Sequence, residues 1–455
     1  MGKKKRGSKR ISAGEVPLPE GFRREMEDLL GDEAQSLLSA LEEAPETSLR
    51  LNRRKLLAEL PYSGMERVDW CDHGYYLTER PDFGHNPLLY AGAFYVQEAS
   101  SMIYEQAVGL LAAAIRREKG AGALIKALDM CAAPGGKTTA ILNALEGDYL
   151  MVANEYDRKR VKILKENLDK WGADSVIVTN ADSETLGRLT EQFDFIAVDA
   201  PCSGEGMMRR EPIARSQWSE GLVESCSKLQ REIIENAVEA LKPGGYLIYS
   251  TCTFNRRENE ENVDYFVNEL GLESVELPLK GIEKAKRAIG SDVNALRFMP
   301  HLTRGEGLFV AFLKKTGELC AEGSSRGNGK GKTQIGDLIY DTTPEIREML
   351  KILSHKSINA RILSAGVPVR ELKGGLEKPW TGSVVHGGDY AQAYPQIELS
   401  EEDAVKYLRR ESIALPEGVP TGYVTVSYKG HPLGLIKNLG NRANNLYPAE
   451  WKIIY

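Results

Sequence analysis

The chain has 455 residues, more than one ordinary domain holds, so two to four units are expected. With 42 % hydrophobic and 27 % charged residues it can bury a sizeable core, and no apolar stretch approaches the roughly 18–20 residues of a membrane span. A net charge of −6 argues against indiscriminate nucleic-acid binding but leaves room for a local basic face. Six cysteines (Cys71, Cys131, Cys202, Cys226, Cys252, Cys320) form no C-x-x-C pair, and the six histidines are scattered, so neither a disulfide framework nor a zinc site is expected. That usage fits a reducing cytoplasm.

The start, Met1-Gly-Lys-Lys-Lys-Arg-Gly-Ser-Lys-Arg10, is basic without an apolar run after it, and reads as a flexible arm rather than a secretory signal. Residues 20–44 carry Met26, Leu29, Leu30, Leu37, Leu38 and Leu41 at helical spacing. Residues 48–52 and 70–78 alternate like short strands, and a helix is expected over 97–117. Residues 1–120 therefore read as a small α+β N-terminal module with a connecting helix. Arg53-Arg54-Lys55, Arg209-Arg210 and Arg256-Arg257 are candidates for a basic face.

From residue 123 the pattern becomes regular strand–helix alternation. Strands are expected at 123–129, 149–155, 176–179, 193–198 and 246–250, with helices from Lys137, over 158–171 and over 229–241; a further apolar strand covers 308–313. This indicates an α/β domain over 121–316 with a parallel, doubly wound sheet. Residues 317–335, rich in Gly, Ser and Lys, read as a linker. A further unit is expected over 336–398 and a last one over 399–455, the latter with strand-like residues 422–428 and 433–436.

The segment Asp129-Met-Cys-Ala-Ala-Pro-Gly-Gly-Lys-Thr138 joins the first strand to its helix. Gly135 and Gly136 permit close backbone approach to a ligand, and the helix start favours polar or anionic groups. The segment is neither G-x-G-x-x-G nor a P-loop. Glu155, at the end of the second strand, can accept bonds from ribose hydroxyls, and Asp182, past the third, can hold an adenine amino group. One loop and two acids without phosphate-binding machinery suit S-adenosylmethionine better than NAD.

Two cysteine motifs each follow an apolar run: Asp199-Ala-Pro-Cys202-Ser-Gly after 193–198, and Ser250-Thr-Cys252-Thr after 245–249. Ligands bind at carboxyl strand ends in such sheets, so two thiols are expected to meet over one pocket and to do thiolate chemistry. Either cysteine can be the nucleophile on this reading. Met207-Met208-Arg209-Arg210-Glu211-Pro212 then lines the substrate entry.

These motifs, with the run Ala127–Thr138, resemble the Nop/Sun family of RNA cytosine-5 methyltransferases. Tyr95-Val-Gln-Glu-Ala-Ser-Ser101, Arg297-Phe-Met-Pro-His301 and Gly305-Glu-Gly-Leu-Phe309 also match family blocks, although the last is often Gly-Asp-Gly-Phe-Phe, a departure expected to touch strand packing more than chemistry. Lys437-Asn-Leu-Gly-Asn-Arg-Ala-Asn-Asn-Leu-Tyr-Pro448 is similar to the tail of bacterial RsmF-type enzymes, which modify small-subunit ribosomal RNA. The resemblance implies a Rossmann-like class I methyltransferase sheet flanked by a small N-terminal domain and C-terminal α+β and PUA-like β-barrel domains. It implies S-adenosylmethionine as cofactor and 16S rRNA, in the decoding region, or the 30S subunit as partner, with no membrane and no obligate protein partner. It assigns nucleophilic attack to Cys252, product release to Cys202, the cytosine edge to Asp199, and Lys137 to the catalytic pocket. Cys131, Ala132, Ala133, Pro134, Gly135, Gly136, Lys137, Glu155, Arg160, Asp182 and Asp199 are the implied cofactor contacts. Cys71, Cys226 and Cys320 are left as structural.

Overall fold

A computed structural model describes residues 16–320 and 329–454. The basic arm and residues 321–328 of the expected linker fall outside them, and the linker's last residues form the strand Gly331–Ile335. Five parallel strands form the centre of the large sheet, in the spatial order Leu241–Thr251, Phe193–Asp199, Ile125–Asp129, Tyr149–Asn154, Val176–Asn180. Tyr149–Asn154 is buried at every position, as are residues 193–198, because helices cover both faces of the sheet. The first and fourth strands in sequence are neighbours, so the winding direction reverses between them. The crevice beyond Asp129 and Asp199 lies at that reversal, where open α/β sheets bind ligands.

The sheet is not wholly parallel, as the alternation suggested. Leu308–Lys315 runs antiparallel to Leu241–Thr251, and Ala295–Phe298 turns back onto it through residues 299–307. On the opposite edge Arg361–Ala365 pairs antiparallel with Val176–Asn180. That strand comes from the 336–398 stretch, so the region past the linker contributes directly to the large sheet. The other strands there, Gly331–Ile335, Leu338–Thr342, Val367–Lys373 and Leu376–Pro379, form a sheet of their own.

Two helix boundaries differ from expectation. The connecting helix is Ile103–Lys119, because Gln97 stays extended: its N–H donates to the Ser48 carbonyl and its own carbonyl accepts from Ser48 Oγ. The long helix is Glu220–Ala240, started by Ser219 Oγ accepting from Leu222 N, and Leu241 already begins the next strand. Its first two turns are mostly polar, with Val223 and Cys226 buried, so apolar density alone missed them.

The N-terminal helices Glu20–Leu30 and Ala34–Ala40 are separated by a tight turn at Gly31–Glu33. Their apolar stripe (Phe22, Met26, Leu37, Leu38) packs on Met208, Trp218, Phe254 and Met299, so this pair covers the loops that carry Cys202 and Cys252. An antiparallel sheet of Glu66–Val68, Cys71–Leu77, Thr47–Leu51 and Phe94–Val96 completes the module. The C-terminal sheet, Gln396–Glu398, Gly422–Tyr428, His431–Asn438 and Ala443–Asn445, shares one core with it: Leu49, Leu77 and Phe94 cluster with Tyr407, Tyr447 and Trp451. Lys55 ties three regions together by donating to the carbonyls of Ala91 (2.7 Å), Lys170 (2.5 Å) and Val385 (2.7 Å). No helix among the described residues is long and apolar enough to cross a membrane.

Candidate active site

Asp199 and Ser250 are register partners at the ends of adjacent parallel strands, so the two cysteine loops leave the sheet side by side. Cys202 Sγ and Cys252 Sγ lie 3.2 Å apart, both free and both partly exposed. The loops are stitched together: Gly206 N donates to the Cys252 carbonyl (2.8 Å), and the hydroxyls of Ser203 and Thr253 bond at 2.9 Å. Residue 206 must be glycine, since a Cβ would sit 2.8 Å from the Glu306 carbonyl oxygen and 2.9 Å from that of Cys252. The hydrogen bond with Cys252, followed by burial, holds the Cys202 thiol well above its ordinary range.

Asp199 is held from both sides. Its Oδ2 is 2.8 Å from Lys137 Nζ, and its Oδ1 accepts from Ser250 Oγ at 2.8 Å. Because the single Ser250 proton is used there, the Tyr104 hydroxyl is the donor in its 2.8 Å bond to Ser250 Oγ. Burial alone would lower the Lys137 ammonium, but the charge and hydrogen bond of Asp199 more than reverse this and hold it above its usual value. The result is an oriented carboxylate with spare lone pairs beside two thiols, and a charged donor next to it.

The Cys131–Gly136 loop lies one strand away. Gly135 has φ +114°, which favours glycine, and opens the Gly136–Ala144 helix. A Cβ on Gly136 would stand 3.3 Å from Tyr95 and 3.7 Å from Gln97 Nε2, so the loop offers a cradle. Gln97 Oε1 accepts from Arg50 Nε (2.9 Å), which fixes the amide and leaves Nε2 buried without a partner, an orphaned donor beside the loop. Burial, then the Asp129 and Asp199 charges, push the Cys131 thiol up, so it remains a thiol. Ala132 N donates to the Asn154 carbonyl, and the Ala133 and Pro134 carbonyls accept from Arg160 and Asn167. Arg160 also reaches Glu155 at 3.5 Å; the Glu155 carboxylate is buried and accepts from Asp157 N (2.8 Å). Asp182 is exposed and caps the Ser183–Gly187 turn through Thr185 N (2.8 Å), which lowers its carboxyl. The residues thus fit a nucleoside bearing an amino-acid tail: a Gly-rich cradle, an unused amide donor and an acid at the second strand end. Among the described residues no group of His, Cys, Asp or Glu could hold a metal ion.

The basic pairs are mostly consumed internally. Arg209 is buried and donates to the carbonyls of Glu43, Ala44 and Gly305, so it is structural and not part of a basic face. Arg53 and Arg54 pair with Glu146 and Asp174. Cys71 and Cys226 are buried and Cys320 is exposed. The glutamate that departs from the family block proves closer to the site than expected: Glu306 is buried, ion-paired with Arg210 of the Cys202 loop, and its N–H donates to Glu98. Sequence reasoning also passed over Arg50, Tyr104, Glu205 and Glu258, since nothing marks an isolated Arg, Tyr or Glu as buried. Burial, against the opposing pull of Arg210, pushes the Glu306 carboxyl up from 4.5 to about 7. A raised carboxyl stabilises the fold below its unfolded pKa, and that contribution disappears as pH rises through the folded value. Glu306→Gln is therefore expected to gain stability relative to wild type between about pH 4.5 and 7, with a plateau above. Urea midpoints of both proteins across that window test this; a gap that is flat or narrows with rising pH refutes it.

The family described as 16S rRNA methyltransferase RsmB/F matches residues 122–314, the N-terminal domain of 16S rRNA methyltransferase RsmF matches 18–99, and the methyltransferase RsmF PUA domain matches 394–453. Ribosomal RNA small subunit methyltransferase F of Shewanella loihica is 34 % identical over 85 % of this chain and 83 % of its own length. The protein of the same name from Cronobacter sakazakii is 32 % identical over 96 % and 97 %. Among solved structures, a methyltransferase homolog protein from Pyrococcus horikoshii is 28 % identical with a TM-score of 0.56, covering 65 % of this chain and 95 % of that one. NSun6 from the same organism, with SFG, shares the fold at 22 % identity and a TM-score of 0.55, covering 67 % and 100 %. The chain belongs to the ribosomal RNA small subunit methyltransferase F family.

Proposed function

We propose that the protein transfers a methyl group from S-adenosylmethionine to carbon 5 of cytosine in 16S ribosomal RNA, in the cytoplasm, through a covalent cysteine adduct. The observation that carries this reading is the 3.2 Å pair of free thiols next to the Lys137–Asp199 pair at one strand edge. Carbon 5 of cytosine is too weakly nucleophilic to take a methyl cation equivalent unaided. Cys252 gives its proton to solvent and adds to carbon 6, the carbon 5–carbon 6 electrons become nucleophilic at carbon 5, and nitrogen 3 takes a proton from solvent and donates it in a hydrogen bond to Asp199. Lys137 aims Asp199, and Ser250 and Tyr104 fix its other oxygen. When bound, the cofactor supplies an electrophilic methyl group on a sulfonium. Once carbon 5 is methylated its proton passes to solvent, that electron pair re-forms the carbon 5–carbon 6 double bond, Cys252 leaves carbon 6 as a thiolate, and nitrogen 3 returns its proton to solvent. Cys202, touching Cys252, assists this release. The cradle at residues 131–136, with Lys137, Glu155, Arg160, Asp182 and Asp199, is the proposed cofactor site.

A cytosine inside a helix hides carbon 6, so the base must be unpaired or extruded. The 207–212 segment is proposed to line the entry through Met207, Arg210 and Glu211, which are partly or wholly exposed, while Met208 and Arg209 are buried beneath it. The 399–455 unit is proposed as the RNA-binding PUA-like domain. Bisulfite sequencing of ribosomal RNA from cells with and without the gene is expected to show one or more 16S cytosines that lose protection on deletion. Unchanged 16S protection would refute the proposal, and labelled methyl transfer to DNA rather than RNA would replace it.

A further inference from the structure

Two thiols at van der Waals contact pose a selection problem: something must decide which of them ionises. Glu258 lies fully buried just after the Cys252 loop. Its Oε2 accepts from Ser203 N (3.0 Å), the residue beside Cys202, and from Gln230 Nε2 (2.7 Å); its Oε1 accepts from Asn255 Nδ2 (2.8 Å). All three partners are neutral donors, which suits an ionised carboxylate, and no cation pairs with it among the described residues. Burial raises its carboxyl, while the bonds from Ser203 and Asn255 pull it back toward the charged form, and that charge acts on Cys202. Lys137, the nearby cation, instead feels Cys252.

We propose that Glu258 is a positioning residue that selects between the thiols: it locks the Ser203 amide beside Cys202 and keeps a negative charge on that side, so that Cys252 is the sulfur that ionises. The proposal rests on the reading that Cys252 is the attacking group. The other titratable groups nearby are consistent with it. Glu205 from the neighbouring turn adds negative field around Glu258, and Glu25 from the first helix, raised to about 7 by burial, lies within the same field, while Arg257 draws on Glu25 and Glu224. Burial pushes up the Cys226 thiol on the long helix and the Tyr249 phenol on the strand, so neither carries charge. Arg231 is engaged with Asn262 Oδ1.

Iodoacetamide alkylation of the full-length protein, mapped by peptide mass across pH 6–10 (roughly the thiol range), separates the two sulfurs. In wild type Cys252 is expected to react at lower pH than Cys202. In Glu258→Gln, Cys202 is expected to react about tenfold faster at a given pH, the equivalent of one pKa unit, at the expense of Cys252, because the two hydrogen-bonded thiols titrate as a pair. Glu258→Asp, which keeps the charge, should return Cys202 toward wild type. Gln230→Lys neutralises the carboxylate from a donor position it already uses, and is expected to act like Glu258→Gln even where that variant folds poorly. Identical Cys202 profiles in wild type, Glu258→Gln and Gln230→Lys overturn the proposal, as does a wild type in which Cys202 reacts first. Failure of the methyl-transfer reading looks different: 16S bisulfite protection would be unchanged while the thiol selectivity still followed residue 258.

Discussion

Cys252→Ala is expected to reduce methyl transfer to the level of the blank, a loss on the order of 10⁴-fold or more for a removed nucleophile. The same variant should form no covalent complex with RNA. Cys202→Ala is expected to behave oppositely in one respect. It keeps the attacking sulfur but lacks the group that assists release, so a protein–RNA adduct should accumulate on denaturing gels while turnover stops. The thiols are 3.2 Å apart, and losing Cys202 also removes the hydrogen-bond partner of Cys252. A modest drop in the rate of adduct formation therefore accompanies the block in release. If Cys202→Ala formed no adduct and Cys252→Ala trapped one, the roles would be exchanged. Both cysteines are half-buried, so their burial does not discriminate between them, and this pair of experiments does.

What the sequence revealed and what it hid divide along physical lines. The core strands were legible because continuous burial demands continuous apolar runs, and the cysteine motifs were legible because they sit where those runs stop. Arg361–Ala365 was not: a partly exposed edge strand reading Arg-Ile-Leu-Ser-Ala has no alternation to distinguish it, and its pairing with Val176–Asn180 is set by contacts far along the chain. The long helix lost its first turns for the same reason, since a capped polar start looks like a loop. Within the site, the groups that react were found and the groups that hold them were missed. Glu205 illustrates this: buried, it accepts from Phe254 N (2.6 Å), Asn255 N (3.0 Å) and Trp218 Nε1 (3.0 Å), binding the Cys202 loop to the Cys252 loop. In sequence it is one glutamate among many. Such carboxylates become visible only when the backbone groups they satisfy are known.

Arg50→Leu carries the second large effect. Its side chain is wholly buried, yet it belongs to the N-terminal module and not to the methyltransferase sheet. It donates to Gln97 Oε1 (2.9 Å), to the carbonyls of Thr139 and Gly136 (both 3.2 Å) and to Thr139 Oγ1 (2.6 Å), with Glu105 3.7 Å away and the Trp171 ring under the guanidinium. Removing it strips the donor from several buried acceptors at once and leaves Glu105 with one cation fewer. Breaking such a buried arrangement costs about 3–5 kcal/mol, which should appear as a large fall in the urea midpoint. Because three of the four acceptors are on Gly136 and Thr139, in the first turn after Gly135, and the fourth is the amide whose Nε2 faces that loop, the cradle should loosen as well. S-adenosylhomocysteine binding measured calorimetrically on the folded variant is expected to weaken about tenfold, or roughly 1.4 kcal/mol. Arg50→Lys retains the charge but not the planar fork, so it should recover part of the stability and little of the binding. A variant that lost stability but bound the ligand as tightly as wild type would show that Arg50 only docks the N-terminal module. Loss of both identifies that module as one wall of the cofactor site.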